Sequence, residues 1–277
     1  MNNKKIMQKF NYHTHTRRCG HADNNMTDED FVKLFIKKGF TKVAFTDHCP
    51  EKERIDFREN MRMKYNEKDN YLNSIKSLKE KYKNIIEIET GFEVEYLPGQ
   101  EENLFELKNE TDKIVLGQHF IYNNDKSELL IIRRHKFSDE EALKYAEYIK
   151  TAIEKNIPDI IAHPDVYMLS RDNYTEVDEK VAHIICSTAE KYGIPIEINL
   201  TQPNLFIIGE IENIVYPCKE FWKIASEYKN LKVIYGVDAH FEYQIMNYEK
   251  AIEIANKHIG QNIIDKLHFC NEKLEIK

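Results

Sequence analysis

The chain has 277 residues and a formal net charge of −7 at pH 7; 42% of its residues are hydrophobic and 31% are charged. This balance suits a large core beneath a charged surface. The negative charge disfavours a nucleic-acid partner, whose backbone is bound by clustered Lys and Arg. No apolar run reaches the roughly 18 residues of a membrane span, and no secretory signal is evident. Five scattered cysteines form no CxxC pair, so we expect a cytoplasmic protein with no membrane partner.

Short runs rich in β-branched and other apolar residues predict seven strands along the chain. They cover residues 9–12, 42–45, 86–92, 113–116, 159–162, 195–198 and 231–235. No linker or low-complexity block divides them, so we predict a single domain over residues 1–277. The oligomeric state stays open.

Helical patterns lie between the predicted strands. Thr27 and the acids that follow it predict the start of the first helix, and Gly39 predicts its end. In later connections, apolar side chains recur at helical spacing: Ala142, Tyr145, Ala146, Ile149 and Ile153; Val181, Ile184, Ile185 and Tyr192, closed by Gly193; and Phe221, Ile224, Ala225 and Tyr228. Alternating strands and helices imply a parallel sheet with right-handed crossovers.

Histidines and acids follow six of the seven predicted strands closely. They are His13, His15 and His21, then His48, Glu93, His119 and His163, and finally Asp238 and His240. In an open sheet only a few strands reach the ligand-binding switch point, whereas a closed or nearly closed barrel brings all strand ends to one centre. We therefore predict an α/β fold, a distorted (βα)7 TIM-like barrel, with a metal site at the C-terminal rim of the strands.

Nine candidate ligands are too many for one zinc ion, because a catalytic zinc takes about three protein ligands. Two or three divalent ions are therefore expected, with Glu93 as a carboxylate bridge. Zinc is the first expectation for imidazole ligands, and manganese or iron would also fit. The sequence has neither a GxxxxGK[ST] phosphate loop nor a GxSxG nucleophile motif. Metal-assisted hydrolysis is the chemistry that remains.

These motifs resemble the PHP (polymerase and histidinol phosphatase) superfamily over residues 9 to about 241. The resemblance rests on YHTHT (12–16), CGHA (19–22), TDH (46–48), GFE (91–93), GQHF (117–120), AHPD (162–165) and GVDAH (236–240). It implies a trinuclear site. One ion would be held by His13, His15, Glu93 and Asp238, a second by Glu93, His119 and His163, and a third by His21, His48 and His240.

The resemblance also implies a small phosphorylated substrate. Chain length and the CGHA segment look most like the monofunctional histidinol-phosphatases, which convert L-histidinol phosphate to L-histidinol and phosphate in histidine biosynthesis. Two alternatives stay open: a PHP phosphoesterase for another small phosphate, such as a nucleotide or phosphotyrosine, and a non-catalytic PHP module. The complete ligand set and the lack of a polymerase region count against the second.

A phosphatase of this kind also needs groups that contact the substrate. Arg171 is the candidate catalytic cation, with Arg17 and Arg18 as further cations, and Asp238 is a candidate catalytic residue as well as a ligand. Glu95 and Tyr96 are candidates for the ammonium and imidazole of the substrate.

The remaining polar residues near the motifs are given supporting roles. Glu197 and Asn199 could orient metal ligands, while Cys19 and Cys49 are expected to line the site without binding metal. The other histidines, in loop-like or helix-like stretches, are interpreted as surface or packing residues: His135, His183, His258 and His268.

Overall fold

A computed structural model describes residues 8–51 and 61–270 of the chain, so the N-terminal residues 1–7, where no secretory signal is evident, lie outside it. Its main sheet is parallel and has eight strands in the order β1-β2-β3-β4-β7-β8-β9-β10. These strands are β1 (Phe10–Asn11), β2 (Lys42–His48), β3 (Glu87–Val94), β4 (Lys113–Leu116), β7 (Ile160–Ile161), β8 (Ile196–Asn199), β9 (Lys232–Gly236) and β10 (His268–Phe269). An antiparallel hairpin, β5 (Phe120–Tyr122) and β6 (Leu129–Ile131), follows β4.

All seven predicted strands are confirmed, and the hairpin and β10 are additions. His268 lies in β10, so its predicted place in a loop or helix was wrong. These strands were not predicted because they are too short to show the alternation of apolar and polar residues that marks a strand. β10 has two residues, and β5 and β6 have three each.

Helices fill the connections between the strands. Thr27 and Asp30 form a capping box at the start of α1, and Gly193 adopts the left-handed conformation just after α5, as the sequence predicts. None of the helices among the described residues is long and apolar enough to cross a bilayer. The helices are α1 (Asp28–Lys37), α2 (Lys68–Tyr82), α3 (Glu101–Glu110), α4 (Asp139–Glu154), α5 (Glu176–Tyr192), α6 (Thr201–Ile207), α7 (Lys219–Ala225), α8 (Glu242–Met246), α9 (Tyr248–Ile259) and α10 (Gln261–Ile264).

The sheet curls until the segment after β1 meets the segment after β9. Thr14 pairs in parallel with Ala239. The Ala239 carbonyl accepts from the His15 amide at 2.8 Å, and the Ala239 amide donates to the His13 carbonyl at 3.2 Å. Nearer the N-terminal ends of the strands, the side-chain amide of Gln8 donates to the Tyr235 carbonyl at 2.7 Å and accepts from the Tyr235 backbone N–H at 2.9 Å. The predicted distorted α/β barrel is therefore confirmed, with its seam closed at the C-terminal rim.

A small buried cluster, separate from the main core, fills the inside of the barrel. It takes residues from β4, β7 and other strands, as expected when alternate side chains point into a closed sheet. Its members are Phe10, Tyr12, Ala44, Val115, Ile160, Ala162, Ile234 and Cys270. The larger core packs between the strands and the surrounding helices. The rim above the inner cluster is the surface on which the polar side chains converge.

Candidate metal centre

The carboxylate of Glu93, on β3, lies at the centre of the rim. It is 1% exposed, and its two oxygens face five of the predicted histidines. Oε1 lies 2.9 Å from His163 Nε2, 3.4 Å from His13 Nε2 and 3.7 Å from His119 Nε2. Oε2 lies 2.9 Å from His48 Nδ1 and 3.5 Å from His15 Nε2. This arrangement is the one expected of a carboxylate that bridges two cations.

Asp238, after β9, forms a second focus beside Glu93. Its Oδ1 lies 3.3 Å from His15 Nε2 and 3.5 Å from His13 Nε2. Its Oδ2 accepts hydrogen bonds from Asn199 Nδ2 at 3.1 Å and from Thr201 Oγ1 at 2.9 Å. One oxygen is therefore held by the protein, and the other is directed at the imidazoles.

A third group, of His21, His48 and His240, lies towards the mouth of the site. The three side chains can place one nitrogen each within 4.8 Å of the others, and His21 is exposed. The Nε2 atoms of His21 and His240 are 2.8 Å apart. All nine predicted ligands thus meet at the rim, at the C-terminal ends of six of the eight strands of the main sheet.

Several atoms of this cluster are buried without a hydrogen-bond partner among the described residues. His48 Nδ1 and Glu93 Oε2, although 2.9 Å apart, are two of them. Buried polar atoms rarely go unsatisfied, and an ion is one explanation for such a set. The others are His13 Nε2, both ring nitrogens of His15, and His163 Nδ1. The donor set therefore fits divalent metal ions.

The protonation states agree with metal binding. Burial lowers the pKa of His15 and of His48 to about 3, so both rings are neutral near pH 7 with a lone pair available. Burial opposes ionisation of Glu93, but the neighbouring His48, His119 and His13 hold its pKa well below the ordinary value. The cluster thus offers an ionised Glu93 and neutral rings at His15 and His48, the forms that bind metal. Despite burial, Asp238, Glu197 and Glu93 raise the pKa of His13, and Glu93 and Glu95 raise that of His119, so an ion would displace a proton from these two rings.

Two ligands have unusual backbone conformations. His163 has φ +29° and Asp238 has φ +50°. Residues with side chains avoid this region, and such strain collects at functional sites.

The aspartates next to the ligand histidines in sequence do not face the cluster. Asp47 accepts from Thr16, and Asp165 accepts from Trp222 Nε1 at 2.9 Å.

Gly117 leaves the space that Glu93 occupies. A Cβ at this position would lie 1.8 Å from Glu93 Oε1, so Gly117→Ala must displace the central carboxylate. We expect this substitution to lower both metal content and phosphatase kcat/KM, the latter by about 10²-fold, a typical loss when one electrostatic group is misplaced. Elemental analysis and steady-state kinetics measure the two effects. Gly99→Ala is a control for a general cost to the fold: nothing lies within 4 Å of a Cβ there, but a φ of +98° strains any side chain, so this variant should lower Tm and keep wild-type metal content. Wild-type metal content in Gly117→Ala would contradict the placement of Glu93.

Two further carboxylates lie behind the ligand histidines. Glu197, on β8, accepts from His13 Nδ1 at 3.0 Å. Glu95 accepts from His119 Nδ1 at 3.0 Å and lies 3.4 Å from both terminal nitrogens of Arg62. Each contact directs the Nε2 atom of its histidine towards Glu93. Glu95 is 3% exposed and is engaged by these two partners, which argues against its predicted contact with a substrate ammonium. Tyr96, predicted beside it, donates to Glu101 at 2.8 Å.

The predicted arginines do not reach the cluster. Arg171 bonds to Asp178 at 3.0 and 3.1 Å and to Asp139 at 2.6 Å, so it ties the start of α4 to the start of α5. Its assignment as the catalytic cation is therefore corrected, because its guanidinium is used in this link. Arg17 is exposed, and Arg18 forms an ion pair with Asp28 at 2.7 Å. Both line a separate cavity instead.

Arg133 is the cation that the sequence interpretation missed. It follows β6 and lines a cavity of about 350 Å³. Seven of the nine predicted ligands also line this cavity: His21, His48, Glu93, His119, His163, Asp238 and His240. Arg133 has φ +73°, and the next residue back, Ile132, donates its amide to the His119 carbonyl at 3.1 Å. The β5–β6 hairpin thus carries a ligand at one end and an arginine at the other. No spacing rule links the two in sequence.

The rest of the cavity wall consists of apolar and aromatic side chains together with Thr201 and Gln244. The rings of Phe241 and Tyr243 are stacked, with centroids 5.7 Å apart. Among the described residues that line the cavity, Glu93 and Asp238 are the carboxylates, and both belong to the cluster.

The two cysteines beside the motifs are both buried. The sulfur of Cys19 lies within 4.8 Å of a ring nitrogen of His15 and of one of His240. Cys49 is buried as well and faces the Pro50 carbonyl.

Comparison with known proteins identifies a family. A family model for the PHP domain matches residues 11–201, which is more than half of the chain. The histidinol-phosphatase of Bacillus subtilis is 24% identical to the chain over 264 residues, covering 84% of this chain and 94% of that protein.

Solved structures share the fold. A candidate histidinol phosphatase from Listeria monocytogenes has a TM-score of 0.69 at 24% identity, over 86% of this chain and 97% of that one. The histidinol phosphate phosphatase of Lactococcus lactis, solved with zinc, L-histidinol and phosphate, has a TM-score of 0.63 at 16% identity over 95% of each chain.

Proposed function

Because the chain belongs to the PHP domain family, we propose that it is a metal-dependent phosphomonoesterase that hydrolyses L-histidinol phosphate to L-histidinol and phosphate in histidine biosynthesis. One observation carries the reaction class: seven candidate ligands and an arginine line the same cavity. The name of the Bacillus subtilis relative and the ligands of the Lactococcus lactis structure support the substrate. We further propose a single domain over residues 1–277 and a cytoplasmic location.

The proposed ligand sets follow the three groups of contacts. His13, His15, Glu93 and Asp238 would hold one ion, Glu93, His119 and His163 a second, and His21, His48 and His240 a third. Zinc is the proposed metal, with manganese or iron as alternatives. Ions bound there supply positive charge for the phosphate oxygens and make hydroxide available near neutral pH.

The remaining steps belong to side chains of this protein. Asp238 lines the cavity, and although burial opposes its ionisation, His13 and His15 hold its pKa well below the ordinary value, so it is ionised and would orient the attacking water by accepting a hydrogen bond from it. Arg133 donates to the phosphate oxygens, on which negative charge accumulates in the transition state. Phe120, Phe241 and Tyr243 offer aromatic surface for the imidazole of the substrate.

A substrate panel tests the proposal. Zinc-reconstituted protein is expected to hydrolyse L-histidinol phosphate with a kcat/KM at least about 10²-fold above that for nucleoside monophosphates, a ratio worth about 2.7 kcal/mol. Phosphate release measures both rates, and nitrophenyl phosphate reports activity at the phosphate end alone. Equal rates for nucleotides would favour a phosphoesterase for another small phosphate. Absence of any hydrolysis by metal-loaded protein would leave the non-catalytic alternative.

A second experiment tests Arg133. Arg133→Ala is expected to lower kcat/KM by about 10²-fold, because one donor to the phosphoryl group is lost. Arg134→Ala is the matched control, because Arg134 is the adjacent exposed arginine and is not among the residues that line the cavity. Arg171→Ala should lower Tm through the lost link to Asp178 but leave kcat/KM of the folded protein near that of the wild type. A loss of kcat/KM in Arg171→Ala equal to that in Arg133→Ala would reverse the assignment of the two arginines.

A further inference from the structure

The three proposed ligand groups differ in charge, burial and support. We propose, on the basis of the metal centre argued above, that the ion held by His21, His48 and His240 binds more weakly and exchanges faster than the ions held around Glu93 and Asp238. The centre would then have two retained ions in its floor and one exchangeable ion at its mouth.

Charge separates the groups first. The floor has the carboxylates of Glu93 and Asp238 in direct contact with the histidines, and Glu95 and Glu197 lie behind them. The mouth group consists of three imidazoles, and the carboxylates that its histidines contact, Glu93 beside His48 at 2.9 Å and Asp238 beside His240 at 3.4 Å, are proposed ligands of the floor ions. Affinity for a divalent ion rises with the number of charged ligands and with the rigidity of the site. We therefore expect the floor, whose ligands include two carboxylates supported by further side chains, to bind its ions more tightly than the mouth group does.

Burial distinguishes one member of the mouth group. His13, His15 and His163 are between 0% and 2% exposed, whereas His21 is exposed. His48 is buried, and His240 in the mouth and His119 in the floor are both partly exposed. His21 lies just after a short turn that ends at Gly20, which is exposed too. Water and chelators therefore have access to the mouth group through His21.

Support from neighbouring side chains is the third difference. In the floor, carboxylates hold the second nitrogens of His13 and His119, and Asp238 is held by Asn199 and Thr201. In the mouth, the second nitrogens of His21 and His240 lie against the carbonyls of Cys19 and Asp238, at 3.1 and 3.0 Å. Such outer contacts typically change metal affinity by about 10- to 100-fold, and a carboxylate is the stronger partner because it bears a full charge.

The strand β8 has a distinct part in this difference. It carries no proposed ligand, and its Glu197 and Asn199 support His13, which follows β1, and Asp238, which follows β9. Asn199 Nδ2 also donates to Glu197 Oε1 at 2.7 Å, which joins the two supports. A Cβ on Gly236 would lie 2.0 Å from the Glu197 carboxyl carbon. Gly236→Ala therefore displaces the support without removing any ligand.

Zinc release distinguishes the ions. Fully zinc-loaded protein is mixed with the chromogenic chelator pyridylazoresorcinol, and bound zinc is counted by elemental analysis. We expect two phases, with one zinc released at least about tenfold faster than the rest, in line with the effect of outer contacts. His21→Ala should remove the fast phase and leave the slow phase unchanged. A single phase in the wild type, or a slow phase altered by His21→Ala, would overturn the proposal.

The floor is tested by Glu197→Gln, which keeps the shape of the side chain but removes its charge. In the His21→Ala background, where no fast phase overlaps it, the slow phase should accelerate by about 10- to 100-fold, and in the otherwise wild-type chain the fast phase should stay unchanged. Gly236→Ala should do the same, and it serves as the second variant if Glu197→Gln folds poorly. Acceleration of the fast phase alone in both variants would contradict the assignment. These release rates need no substrate, so they stand or fall separately from the proposed phosphatase reaction.

Discussion

Replacing Glu93 by glutamine is expected to lower kcat/KM for a phosphate monoester by about 10³-fold, the upper range for loss of one preorganised electrostatic group. Glutamine keeps the size of the side chain but removes the charge that faces five imidazoles. The loss of a bridge should disturb two ion sites together, so bound zinc should also fall. Steady-state kinetics and elemental analysis measure the two effects.

Glu95→Gln is the matched control for this change. This substitution also replaces a carboxylate by an amide, two residues further along the chain. Glu95, however, accepts a hydrogen bond from His119 Nδ1 on the side away from Glu93 and does not lie at the centre of the cluster. Its kcat/KM should fall by about 10-fold, the lower range for a residue that orients a ligand. Equal effects at the two positions would show that Glu93 is not the bridge.

Removal of the metal ions is expected to abolish phosphatase activity and to lower Tm. Without ions, the buried carboxylate of Glu93 faces imidazoles, and that of Asp238 faces imidazoles and the hydrogen-bond donors of Asn199 and Thr201, so both lose the full positive charge that an ion supplies. A ligand at 1,000 times its Kd stabilises a fold by about 4 kcal/mol, and Tm changes by roughly 2–4 °C per kcal/mol at this size, so a drop of about 8 °C or more is expected.

Treatment with EDTA followed by calorimetry and phosphate-release assays tests this expectation. Added zinc should restore both activity and Tm, and manganese is the second metal to try. Activity that persists after elemental analysis confirms the absence of metal would rule out the metal mechanism. An unchanged Tm with lost activity would place the ions in the reaction but not in the stability of the fold.

The sequence was informative where one physical rule governs many residues. Buried parallel strands are rich in β-branched and other apolar residues in continuous runs, so seven of the eight strands of the main sheet could be located. Ligands follow strand ends because the rim of a barrel is where side chains from different strands meet. That common placement identified His119 and His163, each of which is alone in its segment, as parts of one centre.

Contacts between distant segments could not be predicted in the same way. Glu95 follows a strand just as Glu93 does, and only the fold shows that it lies behind His119 and beside Arg62. Arg133 and Arg171 are both loop arginines in sequence. Their difference is set by which helix termini happen to lie near, since Asp139 and Asp178 engage one of them. The charge and spacing of residues within a single segment do not predict which side chains from distant segments they will contact.

The closing contact between Thr14 and Ala239 joins segments from opposite ends of the described chain. On a ribosome, His13 and His15 emerge early, whereas Asp238 is made only after nearly all the other strands. A nascent chain therefore exposes histidines that can bind stray metal before their acidic partner exists. The complete ligand set exists only once the segment after β9 meets the segment after β1, so we expect full metal loading to be a late event in the maturation of the protein.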